Sequence, residues 1–340
     1  MRILVLATAA RFGGALTVLQ SLHTFAVRNA TVHDWVFLVG PGVLSPAPGV
    51  EVVVDERLQR SRYRRLALDL GLGKGAIAAH KPDVVVSLHN TMPPGLKART
   101  VLYVQQSIPF QDEMDFSFLN SAQRGLATYQ NIIGALIKNS VRKCDLVVVQ
   151  SQWMRSAIQK TVRDDVTDIV VATVAVPEVH VRDRSDFDPR AFIYPTNGVV
   201  YKNDQVILDA VELIPAAHVT LTTTGPPRPG VEFAGRLPRE ELLRRMAAAT
   251  LVFPSLFETV GLPLLEARCL GVPILAADLP YAHEALEGYS NVAYFDPRDP
   301  VALAALMRHV IQGGMAPTTP STIAKDAGGW AHVLQAIEAL

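Results

Sequence analysis

Short, uninterrupted runs of β-branched and other apolar residues recur along the whole chain, and helix-like segments separate them. The runs Val84–Val86 and Leu146–Val149 show no alternation of apolar and polar residues. Strands that are buried on both faces have this pattern, and they form parallel sheets that helices cover. The sequence therefore predicts an α/β fold in which strands and helices alternate along the chain.

We predict thirteen strands from these runs. They are Ile3–Ala7, Trp35–Val39, Glu51–Val54, Asp83–Ser87, Val101–Val104, Asp145–Val149, Ile169–Thr173, Phe192–Pro195, His218–Thr222, Val231–Ala234, Leu251–Pro254, Pro273–Ala276 and Asn291–Phe295. Helix-like segments are Thr17–Val27, Ser61–Leu70, Ser121–Val141, Asn203–Ile214, Arg239–Ala249, Pro263–Leu270, Pro300–Ile311 and Trp330–Leu340.

The polar stretch Pro177–Arg190 interrupts this rhythm and holds two prolines, so it marks a domain boundary. A chain of 340 residues is long enough for about two domains. We predict two Rossmann-like, doubly wound domains, over residues 1–180 and 190–320. A final helix within 321–340 could pack back on the first domain. Two such sheets leave an interdomain cleft for a ligand at the carboxyl ends of their strands.

Composition excludes several classes of protein. Lys plus Arg and Asp plus Glu number 32 each, and a nucleic-acid partner would favour a basic excess. Two cysteines cannot form a disulfide scaffold or a cysteine-rich zinc site. The first apolar run is too short for a signal peptide, and no apolar run reaches the roughly 20 residues that span a bilayer. We therefore expect a cytoplasmic protein that binds no nucleic acid.

The segment Leu251–Gly271 carries the most specific motif. A buried strand, a loop and a helix with an early proline place Glu258 in the loop and Glu266 in an early helical turn. The helix N-terminus favours an anion such as a diphosphate, and the two carboxylates can accept hydrogen bonds from sugar or ribose hydroxyls. Two glutamates at this spacing also occur by chance. The N-terminus itself is formed by Thr259, Val260, Gly261 and Leu262.

The string FPSLFETVGLPLLEA, with GVPILAADLP after it, closely resembles the E-x7-E region of retaining GT-B glycosyltransferases of the family often called GT4. The resemblance implies a nucleotide-sugar donor (a GDP- or UDP-sugar) and a glycan or lipid-linked acceptor in bacterial surface polysaccharide synthesis. It implies that Glu258 holds hydroxyls of the transferred sugar and Glu266 holds the ribose. It also implies that catalysis works by positioning, with no metal ion and no other cofactor.

Further residues match the family at single positions. Gly13 and Gly14 resemble its N-terminal glycine loop, and Lys202 in YPTNGVVYKN takes the place of a lysine that contacts the donor diphosphate. The family commonly has an arginine five residues before that lysine, where this chain has Asn197. Two further candidates for donor contacts are Gly225 and Arg236.

The sugar or acceptor side has weaker candidates. Many relatives carry a histidine after the strand Val101–Val104, where this chain has Gln105 and Gln106. Glutamine can donate to a sugar oxygen but carries no charge. His89, which follows the preceding strand, is a candidate substitute, and a loop histidine without a role is the alternative.

Two basic clusters could bind anionic lipid, so peripheral contact with the inner membrane face is a hypothesis. The clusters are Arg60, Arg62, Arg64 and Arg65, and Lys138, Arg142 and Lys143. Solvated helix faces are the alternative interpretation. Two rival functions also stay open: a catalytically silent nucleotide-sugar-binding protein, and a sugar-nucleotide epimerase of the same fold. The E-x7-E string argues against the epimerase.

Overall fold

A computed structural model describes residues 1–11, 13–55, 67–68, 70–162, 168–173, 187–320 and 329–340. The chain forms two compact units. The first unit comprises Met1–Gln111, Phe116–Ala175 and Asp326–Leu340, and the second comprises Asp112–Asp115 and Val176–Lys325. Most of the predicted boundary stretch lies outside the described residues, as do most of the helix predicted at Ser61–Leu70 and the cluster Arg60–Arg65.

The first unit contains a seven-stranded parallel sheet. Its strands are β1 (Arg2–Ala7), β2 (Asp34–Val39), β3 (Val50–Val54), β4 (Val84–Ser87), β5 (Arg99–Tyr103), β6 (Leu146–Val149) and β7 (Ile169–Val171). Their order is β3-β2-β1-β4-β5-β6-β7, so the direction of winding changes between β1 and β4.

The second unit repeats this plan with six parallel strands. They are β8 (Ala191–Tyr194), β9 (His218–Leu221), β10 (Val231–Phe233), β11 (Thr250–Phe253), β12 (Ile274–Ala277) and β13 (Val292–Phe295). The order is β10-β9-β8-β11-β12-β13, and winding changes direction between β8 and β11. All thirteen predicted strands are present within two residues of their predicted ends.

Burial on both faces of the sheet explains why the strands have no alternating pattern. In β1, Ile3 and Val5 pack into one hydrophobic cluster, whereas Leu4 and Leu6 pack into another. All four side chains are fully buried. Every residue of such a strand meets a core, and each position therefore favours an apolar residue.

The helices of the described residues differ in part from the prediction. They are α1 (Gly13–Arg28), α2 (Lys74–Ala78), α3 (Arg124–Thr128), α4 (Gly134–Lys143), α5 (Gln152–Val162), α6 (Asp204–Glu212), α7 (Arg239–Ala247), α8 (Leu262–Leu270), α9 (Pro280–Ala285), α10 (Pro300–Ile311) and α11 (Trp330–Glu338). The helix predicted at Ser121–Val141 is divided, because a π-helical turn at Tyr129–Ile133 separates α3 from α4. Helices α2, α5 and α9 were missed. No helix of the described residues is long and apolar enough to cross a bilayer.

The helix α11 belongs to the first unit although its residues follow the second unit in the chain. The Trp330 indole Nε1 donates to Ser21 Oγ at 3.1 Å, and its ring lies 5.2 Å from the Tyr103 ring. Val333 and Ile337 are buried in the cluster that also holds one face of β1. These contacts complete the core on that face of the sheet.

Candidate active site

The second sheet changes its direction of winding between β8 and β11, and a parallel sheet opens a crevice at the carboxyl ends of such strands. The chain after β8 leads to Lys202, and the chain after β11 leads to Glu258. The topology therefore brings together two residues that are 56 positions apart in the sequence.

Lys202 and Glu258 form an ion pair in which Lys202 Nζ donates to Glu258 Oε1. Each side chain is 16% exposed. Ser255 Oγ donates to the same carboxylate oxygen at 2.7 Å. Both contacts use Oε1, and within the described part of the chain Oε2 accepts no hydrogen bond, so Oε2 remains for a ligand.

The backbone of Lys202 is fixed on both sides. Lys202 closes a single 3-10 turn, and Asn203 follows it in the left-handed conformation, with φ of 59°, which asparagine tolerates. Asn203 Nδ2 donates to the Pro297 carbonyl at 2.6 Å, and Tyr194 OH donates to the Lys202 carbonyl at 3.0 Å. The position of the ammonium group thus depends on a turn that is held by β8 and by the loop after β13.

Aromatic rings join the two loops of the site. The rings of Tyr201 and Phe257 stack with centroids 4.5 Å apart, and Leu256 N donates to the Tyr201 carbonyl at 2.9 Å. Lys202 Nζ lies 5.5 Å from the centroid of the Tyr201 ring, within the range of a cation–π interaction. The loop with the lysine and the loop with the glutamate therefore pack as one body.

Two tyrosines near Glu258 have raised pKa values. Burial raises the pKa of Tyr281 well above its usual value, and the charge of Glu258 adds to this effect. Burial likewise raises the pKa of Tyr201 to about 12. Tyr281 OH donates to the Ser255 carbonyl at 2.5 Å, so α9 supports the residue that orients Glu258.

The loop after β8 supplies no second positive charge at Asn197. The Asn197 Oδ1 atom accepts a hydrogen bond from Val199 N at 3.3 Å. Thr196 Oγ1 donates to Asp204 Oδ1 at 2.7 Å. Burial raises the pKa of Asp204, although this hydrogen bond and the Lys202 charge oppose the rise.

The N-terminus of α8 has the geometry of an anion site. Gly261 precedes the helix with φ of 75°, a conformation that favours glycine, and Pro263 takes the second helical position. No side chain of the described residues caps this end. In this first turn Pro263 has no N–H and Leu264 N donates to the Gly261 carbonyl at 2.8 Å, so among the described contacts the N–H of Leu262 remains for an anion. Thr259, Val260 and Leu262 are half-buried around this opening.

Glu266 is buried, and sequence reasoning missed its partner. Its side chain is 6% exposed, and Arg239 Nη1 donates to Oε1 at 2.6 Å. Arg239 opens α7, the helix that follows β10. Arg236, in the loop before α7, is exposed and forms no ion pair among the described residues.

Gly225 has a packing role in the structure. A Cβ atom at this position would lie 2.3 Å from Cε1 of Phe233. The ring of Phe233 therefore covers this backbone, and only glycine leaves room for it. A donor contact by Gly225 stays a prediction.

In the first unit, the equivalent change of winding lies between β1 and β4, and predicted residues gather at that edge. Thr8 Oγ1 lies 3.1 Å from His89 Nε2, and His89 is buried. Gly13 and Gly14 begin α1, and apart from chain neighbours and the backbone of the helix itself, no atom of the described residues lies within 4 Å of a Cβ atom built at either glycine. The backbone there is open to a close approach by a ligand.

The glutamines after β5 lie at the same edge. Gln105 N donates to Asn90 Oδ1 at 2.5 Å, and its side-chain Nε2 lies 3.4 Å from the Leu88 carbonyl. Gln106 is half-buried. The first unit thus brings Gln105 and His89 onto neighbouring strand ends. Among the described residues, no group of three or more His, Cys, Asp or Glu side chains is placed to hold a metal ion.

Residues 193–313 match the model of the family described as Glycosyl transferases group 1. This matched region contains Lys202, Glu258 and Glu266. An Escherichia coli O-antigen chain mannosyltransferase B is 37% identical over 83 residues, which are 24% of this chain. The match spans 20% of the length of that relative.

Solved structures show that the chain has the GT-B fold of glycosyltransferases. Sucrose-phosphate synthase from Thermosynechococcus elongatus superposes with a TM-score of 0.71 at 14% identity, over 100% of this chain and 98% of that one. Anabaena HepE in complex with UDP-glucose gives 0.66 at 14% identity over 100% of both chains. A Listeria monocytogenes protein assigned as a UDP-N-acetylglucosamine 2-epimerase gives 0.61 at 11% identity, over 99% and 96%.

Proposed function

We propose that this chain is a GT4-like glycosyltransferase that transfers a sugar from a UDP- or GDP-sugar, with retention of configuration, to a glycan or lipid-linked acceptor. The observation that carries the proposal is the meeting of Lys202 and Glu258 at the switch point, beside the open N-terminus of α8. The E. coli relative is named for O-antigen synthesis, and HepE was crystallised with UDP-glucose, which supports a nucleotide-sugar donor and a role in polysaccharide synthesis.

Leaving-group stabilisation is the role of Lys202 and the N–H groups near Gly261. As the bond between sugar and diphosphate breaks, negative charge grows on the diphosphate, and preorganised donors lower the energy of that state. Glu258 holds a sugar hydroxyl through Oε2 and forms no covalent bond. The acceptor oxygen forms its bond to the anomeric carbon on the face that the diphosphate leaves, and the departing phosphate accepts the proton of the acceptor hydroxyl, so the configuration is retained.

The ammonium group of Lys202 already has a partner within the site. Lys202 is paired with Glu258, so an incoming diphosphate competes with this carboxylate for the ammonium group. The pair keeps both buried charges compensated until the donor arrives. Glu258 Oε1 then keeps its hydrogen bond from Ser255, which preserves the orientation of the carboxylate.

The first unit supplies the acceptor side in this proposal. Gly13 and Gly14 stay predicted contacts for the donor, and His89, Gln105 and Gln106 stay predicted contacts for the sugar or the acceptor. Arg142 and Lys143 are exposed at the end of α4 and support peripheral contact with the cytoplasmic face of a membrane. Binding to vesicles with and without anionic lipid tests that contact, and salt-independent failure to bind contradicts it.

A thermal-shift panel with UDP, GDP, ADP and dTDP, each with and without its common sugars, tests the donor, because a ligand of the folded state raises its stability. Transfer is then followed with the donor that binds, in the presence of EDTA, and NMR gives the anomeric configuration of the product. Lys202→Met and Glu258→Gln should abolish transfer and stay folded. Binding without turnover would favour the silent binder, and epimerised sugar formed without an acceptor would favour the epimerase.

A further inference from the structure

Arg239 and Glu266 form an ion pair in which the glutamate is buried and the arginine is exposed. Arg239 Nη1 donates to Glu266 Oε1 at 2.6 Å, the Glu266 side chain is 6% exposed, and the Arg239 side chain is 49% exposed. The acid is therefore inside the second unit, while much of the guanidinium group faces solvent.

Both side chains have unused hydrogen-bonding capacity. A guanidinium group has five N–H donors, and within the described residues only one of those of Arg239 has an acceptor. The Glu266 Oε2 atom accepts no hydrogen bond from any described residue. Solvent reaches this oxygen, since it is not among the fully buried side-chain atoms that lack a hydrogen-bond partner. A hydroxyl group of a ligand can therefore donate to it.

The distance between the start of α8 and the pair matches the separation of the phosphate and the ribose in a nucleotide. Helices α7 and α8 follow β10 and β11 of the same parallel sheet, so both begin at the edge where the site lies. Glu266 is four residues after Leu262, which at about 1.5 Å per residue is roughly 6 Å from the first turn of α8. A phosphate at that first turn would place the ribose of the same nucleotide beside Glu266.

We propose that Arg239 is a ribose-recognition residue that acts together with Glu266. Glu266 Oε2 accepts a hydrogen bond from one ribose hydroxyl, and a free N–H of Arg239 donates to a ribose hydroxyl oxygen. The inference rests on the proposed function, because it assumes a nucleotide donor. It adds a second basic residue, besides Lys202, to the proposed donor site, where position 197 is the uncharged Asn197.

The test compares nucleotides that differ only in the ribose. Titration calorimetry on the full chain measures binding of UDP, GDP and ADP, and then of the 2′,3′-dideoxy analogue of the nucleotide that binds. The variant is Arg239→Lys, which keeps a positive charge beside Glu266 and loses the fork of donors. We expect roughly tenfold weaker binding of the ribonucleotide and an unchanged affinity for the dideoxy analogue.

Arg245→Lys is the matched control, since Arg245 lies on the same helix and pairs at the surface with Glu232 and Glu241. It should leave both affinities unchanged. An unaltered ratio of the two affinities in Arg239→Lys, or an equal loss for both ligands, would overturn the ribose role and leave the proposed function intact. Failure of the wild-type protein to bind any of the nucleotides would overturn both proposals.

Discussion

Because Lys202 and Glu258 form an ion pair, we expect the loss of the Glu258 charge to strengthen the binding of a nucleoside diphosphate. Glu258→Gln keeps the shape of the side chain and removes the charge that competes with a diphosphate for Lys202. A hydrogen bond to a charged group contributes about 1.5–3 kcal/mol. Because each side chain is 16% exposed, water screens part of the interaction. We therefore take about 1–2 kcal/mol, which corresponds to roughly five- to thirtyfold tighter binding of the free nucleoside diphosphate.

The intact donor should respond differently from the free diphosphate. Glu258→Gln also weakens the contact with the sugar hydroxyl, so the gain in affinity for the nucleotide sugar should be smaller than the gain for the diphosphate. Transfer should fall although binding improves. Isothermal titration calorimetry with both ligands measures the two affinities directly.

Glu287→Gln is the control, because Glu287 is exposed in the same unit and its replacement changes the net charge equally. This variant should bind the diphosphate as the wild type does. If Glu258→Gln binds the diphosphate no more tightly than this control, Lys202 and the diphosphate do not compete as the structure implies, and the reasoning fails.

Three further perturbations follow from single contacts. Ser255→Ala removes the 2.7 Å hydrogen bond that orients Glu258, and steady-state kinetics should show kcat about tenfold lower with diphosphate affinity unchanged; a loss of affinity instead would contradict a positioning role. Gly225→Ala should destabilise the fold by about 1–3 kcal/mol in urea unfolding, because its Cβ meets the Phe233 ring, and Phe233→Leu should relieve this. Burial raises the pKa of Asp204, so its ionisation opposes folding above the ordinary value of 3.8. Asp204→Asn should therefore gain stability relative to the wild type as pH rises from acid towards neutral, and equal differences at both ends would refute this.

The strands could be predicted because burial on both faces selects apolar residues at consecutive positions, and such a run is visible in the local sequence. A run such as Leu146–Val149 is buried on both faces, and each position records that burial directly. Short helices have no comparable pattern in their sequence. Helices α2 and α9 have five and six residues, too few to be stable alone, so packing rather than propensity decides that they form. In α5 a usable signal existed, because Met154, Ile158 and Val162 recur every fourth residue on the buried side.

Site residues divide in a similar way. Lys202 and Glu258 could be named because both lie in a motif, and the structure shows them in contact. Their pairing with each other could not be predicted, since it depends on β8 and β11 being neighbours in the sheet. Arg239 belongs to no motif, and its contact with Glu266 depends on how two neighbouring helices begin at one sheet edge.

The late position of α11 in the chain has a consequence for biosynthesis. Domains generally fold in the order in which the ribosome releases them. The first unit cannot do so completely, because the helix that carries Trp330 and covers Ser21 and Tyr103 is translated after the whole second unit. Until then the nascent first unit exposes an apolar surface that a chaperone could bind. A shortened protein that ends after β7 should keep this surface exposed and aggregate, unless residues 329–340 are added as a separate peptide.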